Sequence, residues 1–159
     1  MINDFLLKNW FDLLQSSFIV GSFILSYIAT QNDIRSRKVE HLLYLNQSYR
    51  EIWSKTYTYP ELLRIREIDL DLKTNPITEP ERRMIREMVM HIYAIYEAIQ
   101  NSQIKKGETD KDIYDFLQLP IPNAVWEEVK VYHNKKFIDY IDELLSKHRR
   151  VSKSIHLWD

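Results

Sequence analysis

Apolar residues along the chain fall into one long uncharged run, followed by stripes at helical spacing. The run is residues 13–32, LLQSSFIVGSFILSYIATQN, with no charge between Asp12 and Asp33. A helix rises about 1.5 Å per residue, so this length matches the roughly 30 Å hydrocarbon layer of a bilayer. The run is not evenly apolar. At about 100° per residue, Gln15, Ser22, Ser26 and Thr30 fall with Asp4, Lys8, Asp12 and Asp33 inside an arc of about 80°. Ile19 is the main apolar member of that arc. Leu7, Leu14, Phe18, Ile24, Leu25 and Ile28 occupy the remaining faces, which suit lipid. A polar stripe within a span turns toward protein or water. The pattern therefore predicts a transmembrane helix whose stripe, Gln15, Ile19, Ser22, Ser26 and Thr30, lines a homo-oligomer or a pore. A buried helix in a soluble core is the alternative.

Beyond the run, no Pro or Gly occurs between Gly21 and Pro60. One helix can continue to about Thr56, with Val39, Leu42, Leu45, Tyr49, Ile52 and Trp53 as its packing stripe. A hinge at Asn32-Asp33 is the competing expectation. Pro60 suits the first position of a second helix, striped by Leu62, Ile65, Ile68 and Leu72, with Arg64 and Arg66 on a solvated face. Thr78-Glu79-Pro80-Glu81 is a capping box with Pro in the first turn. It predicts a helix to about Ile104 whose stripe of Ile85, Met88, Val89, Ile92, Tyr96 and Ile99 centres the soluble domain. His91, at the edge of that stripe, reads as half-exposed packing. A short helix over 108–119, capped by Thr109 or Asp110, comes next. Pro120-Ile121-Pro122 then breaks the chain, and Asn123 caps a last helical region. Val125, Trp126, Val129, Phe137, Tyr140, Ile141, Leu144 and Leu145 stripe that region, and Tyr132-His133-Asn134 interrupts it. The fold class is all-α. Residues 1–32 form an N-terminal transmembrane segment, 33–146 a cytoplasmic domain of about five helices, and 147–159 a basic tail.

Composition narrows the chemistry. The 159 residues include no Cys, which excludes disulfides, thiolate metal sites and a Cys nucleophile. Two Gly leave no Gly-rich phosphate loop and argue against a turn-rich β fold. With a net charge of -1, any anion-binding surface must come from local clustering. Two clusters stand out: Arg82, Arg83 and Arg86 early in the Glu79 helix, and Arg149 and Arg150 in the tail. A guanidinium offers phosphate a planar pair of donors, so these five are candidate anion or nucleic-acid contacts, with a solvated face as the alternative. His41, His91, His133, His148 and His156 show no zinc spacing. No phosphate loop, dinucleotide fingerprint or nucleophile elbow is present. No catalytic residue, cofactor or metal is expected, and the chain does not read as an enzyme.

Asp4 and Asp12 beside Lys8, with no small-x-small site after the run, point to a retained anchor. Residues 1–12 either join the span or lie on the membrane surface. Lys8 precedes the run, whereas Arg35, Arg37 and Lys38 follow it. The positive-inside bias then places the N-terminus outside and the C-terminal domain in the cytoplasm.

The order of parts is a short span, an Arg-containing helix over 35–53, a Tyr-Pro-Glu-Leu helix start at 59–62, and a last helix with Trp126 and Asp-Glu-Leu-Leu at 142–145. This layout resembles a broad group of bacterial single-span membrane proteins with a small helical cytoplasmic domain. It is similar in plan to the transmembrane effector of the Hailong anti-phage defence system, an oligomeric channel held shut by a DNA oligomer. The resemblance implies a homo-oligomeric effector of the bacterial inner membrane, a gated pore. Its cytoplasmic domain would bind a regulator, a nucleotide or oligonucleotide. No motif residue carries over. A membrane-tethered adaptor without conduction and a soluble helical interaction module are the alternatives. Carbonate-resistant membrane association would separate the last from the other two.

Overall fold

A computed structural model describes the backbone of residues 2–155 and the side chains of residues 10–12 and 14–147. Within these limits the chain is all-α, with no strand among the described residues. The α-helices are α1 (Ile2–Thr58), α2 (Glu79–Gln100), α3 (Asp110–Leu117), α4 (Pro120–Val129) and α5 (Lys135–Ile155). Two short 3-10 helices, Pro60–Arg66 and Lys130–Tyr132, complete the set. The chain divides into two units, Met1–Leu42 and Leu43–Asp159.

In the first unit α1 passes Asn32-Asp33 without a break. Nothing there resists helix: there is no Pro or Gly, and Arg37 Nε donates to Asp33 Oδ2 at 2.9 Å one turn back. From Trp10 to Ile28 the large apolar side chains, Phe18, Ile19, Phe23, Leu25 and their neighbours, are 48% to 72% exposed. Covering each would be worth about 1.5–3 kcal/mol, so this surface is unsuited to water. Among the described residues, this one N-terminal helix is long and apolar enough to cross a membrane.

The second unit is built on α2. Its start is the expected capping box: Glu81 N donates to Thr78 Oγ1, and Thr78 N donates to Glu81 Oε2 at 2.7 Å. The predicted stripe of Ile85, Met88, Val89, Ile92, Tyr96 and Ile99 is buried. It packs most closely on α4, where Val125 and Trp126 are fully buried, while Phe137 and Ile141 of α5 close the core. Trp126 meets Phe137 edge-on at 5.6 Å between ring centroids.

Several expectations are corrected. The helix begun at Pro60 is a 3-10 helix ending at Arg66, leaving Ile68 75% exposed and Leu72 half-buried. Glu67 at its end is extended, with φ -70° and ψ 128°, which stops the helix, and a turn follows in which Asp71 accepts from the amides of Lys73 and Asn75. On α1, Leu45 and Ile52 are buried as expected, but Val39 and Tyr49 are about half exposed. α2 ends at Gln100, not near Ile104. Ser102 takes a positive φ of 57°, and the amides of Gln103 and Ser102 turn back to the carbonyls of Ala98 and Ile99. Asn123 is inside α4 rather than capping it. Pro120 opens that helix because Leu119, before a Pro, is held extended. The interruption at Tyr132-His133-Asn134 is present between α4 and α5, and α5 runs past residue 147 to Ile155.

Candidate functional site

Two regions carry the residues singled out by sequence. The first is the stripe on α1. Gln15, Ile19, Ser22, Ser26 and Thr30 are all exposed. Two of the three hydroxyls turn inward to the helix: Ser22 Oγ donates to Ile19 O at 2.8 Å, and Thr30 Oγ1 to Ser26 O at 2.9 Å. Such bonds lower the cost of a hydroxyl in lipid. Ser16 does the same with Asp12 O at 2.7 Å. The Gln15 amide is exposed and makes no hydrogen bond among the described residues, so it is costly to expose to hydrocarbon.

The second region is the start of α2. The structure divides its three arginines. Arg82 is engaged: it bonds the Glu128 carboxylate on α4 and lies 3.6 Å from Glu79. Its guanidinium is a cross-link between two helices, not an open anion site. Arg86 reaches only Glu79, at 4.0 Å, and Arg83 is exposed with no ion pair among the described residues. The side chains of Arg149 and Arg150 lie outside the described residues.

Arg64, expected on a solvated face, instead grips Glu81. Nε donates to Oε1 and Nη2 to Oε2, both at 2.7 Å, and Nη2 also donates to Pro76 O at 2.9 Å. Burial pushes the Glu81 carboxyl up, but the hydrogen bonds of Arg64 and Thr78 outweigh it and hold the carboxyl below the usual range. Arg66 stays exposed as expected, with its guanidinium 4.1 Å over the Trp53 ring.

Two clefts of 540 Å³ flank a ridge of Arg86 and Met90 on α2, both inside the second unit. One runs between α2 and the last turns of α4, with Val89, Glu128, Tyr132 and His133 in its walls. The other runs between α2 and the end of α1. There Tyr44, Leu45, Ser48, Glu51, Ile52 and Lys55 face Arg83, Glu87, His91 and Ala94. Lys55 bonds Glu87 across it. His91 is buried, not half-exposed, with its ring 5.8 Å from that of Tyr49 and its Nδ1 without a partner. Burial pushes its pKa below the ordinary histidine value, which keeps it neutral. Sequence reasoning missed this second cleft. Its walls are 28 to 50 residues apart in the chain, and no local pattern announces it.

Fold and site together define a class: an all-α protein with one N-terminal helix long and apolar enough to cross a membrane, joined to a small helical unit. No family model, no curated protein and no solved structure matches the chain.

Proposed function

We propose that the protein is a homo-oligomeric membrane effector whose first helices assemble into a gated pore, with the second unit in the cytoplasm binding a regulator. The observation that carries this reading is the Gln15 amide, exposed and without a partner among the described residues, within an apolar run. A single helix in lipid leaves that amide unsatisfied. A symmetric assembly with the stripe inward gives every copy a partner or water at once. Ile19, in the same arc, would then form a hydrophobic constriction between polar rings. Arg35, Arg37 and Lys38 after the run, against Lys8 before it, favour a cytoplasmic second unit. The bacterial inner membrane and an anti-phage role rest on the layout of parts alone.

The test is a triple variant, Gln15→Leu with Ser22→Leu and Ser26→Leu. It should stay in the membrane but lose the oligomer expected of the parent in detergent, and lose dye or ion flux in vesicles. A triple variant that assembles and conducts like the parent would overturn the stripe's role. The adaptor reading, a tether that conducts nothing, would then take its place.

A further inference from the structure

The cleft between the end of α1 and α2 has a polarity that its residue order explains. Lys55 pairs with Glu87 and Tyr49 packs on His91, so the two helices run antiparallel along it. Arg83, Arg86 and Lys55 therefore sit toward one end, and Tyr44, Leu45 and Ala94 toward the other. Arg83 to Ala94 spans about 16 Å along α2. Two carboxylates, Glu51 and Glu87, share the cleft with the three cations, and Glu87 is taken by Lys55. Arg83 has no ion pair among the described residues, and Arg86 has only the distant Glu79. Elsewhere near α2 the arginines are engaged: Arg64 by Glu81 and Arg82 by Glu128. Two guanidiniums one turn apart at the edge of a cleft, Arg83 with no ion pair among the described residues and Arg86 held only at 4.0 Å by Glu79, favour an anion with several acceptor oxygens.

The other end selects the rest of the ligand. Tyr44 offers a ring that is 66% exposed, and Met90 a thioether side chain that is 58% exposed. The stretch from Met90 through His91 to Ala94 is about 6 Å long. That suits one ring system and is short for an acyl chain. A volume of 540 Å³ lies in the range of small-molecule sites.

We propose that this cleft binds a nucleoside phosphate, with the phosphates on Arg83 and Arg86 and the base on Tyr44. The assignment rests on the reading of the second unit as the regulator-binding part. Tyr44 and Lys55 in the wall of the cleft belong to the last turns of α1. Six of the cleft's residues come from that helix.

The experiment titrates the detergent-purified full chain with the fluorescent nucleotide mant-ATP. Saturable binding is expected, weaker at higher salt. Arg83→Gln with Arg86→Gln should weaken it about tenfold or more, the loss expected for charge-assisted phosphate bonds. Arg50→Ala, exposed on α1 outside the cleft, should leave it unchanged. Tyr44→Ala should weaken mant-ATP but not the ability of inorganic pyrophosphate to compete. Circular dichroism checks that each variant keeps its helix content, and a variant that loses it is replaced by the single Arg83→Gln. Absence of saturable binding, or equal binding by the double variant, overturns the site. If a six-nucleotide single-stranded DNA binds through Arg83 and Arg86 while mant-ATP does not, the small-molecule assignment falls. Binding is read whether or not the protein conducts, so failure of the pore reading is seen separately, in flux and oligomer size.

Discussion

Arg64 and Glu81 are 17 residues apart in the chain and form a two-pronged ion pair, with Nε to Oε1 and Nη2 to Oε2 both at 2.7 Å. The Glu81 side chain is 2% exposed and that of Arg64 24%. Glu81 also closes the capping box of α2 through Thr78. One carboxylate therefore starts the central helix and fastens the Pro60–Arg66 segment to it.

Arg64→Ala should be among the most destabilising single changes outside the apolar core. Removing one partner of a buried pair leaves an uncompensated charge, at a cost of about 3 kcal/mol. Denaturant unfolding of the purified protein measures it, and a loss below that of an ordinary surface substitution would contradict this account.

The same pair sets an acid limit. The folded Glu81 carboxyl titrates below its unfolded value. Its contribution is therefore complete above the unfolded pKa of about 4.3 and is lost as pH falls through the folded value. Melting temperature followed from pH 6 downward should drop more steeply for the parent than for Glu81→Gln.

His91 behaves with the same sign for a different reason. Burial alone lowers its pKa, so below about pH 6.5 the unfolded chain takes up a proton that the folded chain refuses. Stability is fully present above that pH and declines as pH falls toward the folded value. His91→Leu should flatten this part of the profile. It should also be neutral or stabilising by about 1 kcal/mol, because it removes the unpartnered Nδ1. A steeper pH dependence in the variant would be the wrong outcome.

Ser102 carries a positive φ at the end of α2, where Gly is the residue without a penalty. Ser102→Gly should raise stability by about 0.5 kcal/mol, since the relief of strain exceeds the added freedom of the unfolded chain. Thermal unfolding would show a small upward shift.

Ile19 is the apolar member of the polar arc. In a pore lined by that arc, Ile19→Ser removes the hydrophobic constriction and should raise basal leak without changing membrane association. Single-channel or vesicle-flux recording decides, and a leak equal to that of the parent would place the barrier elsewhere.

The features legible in the sequence are those whose cause lies within one or two turns. The uncharged run after Asp12 and the Thr78–Glu81 cap depend on residues within one or two turns, whereas the path through Asn32-Asp33, open in the sequence to a helix or a hinge, is helix in the structure. The buried stripe of α2 follows from the same period. What only the tertiary structure decided is which polar side chains find partners. Arg82, Arg83 and Arg86 are chemically alike and lie within two turns. Arg82 alone meets Glu128, 46 residues away, because α4 packs there. Arg64 looked solvated until the 3-10 helix brought it to Glu81, and His91 looked half-exposed until Tyr49 covered it. Local periodicity fixes the face a residue occupies on its own helix. The identity of the group opposite depends on how distant helices cross, and no spacing along one helix contains that.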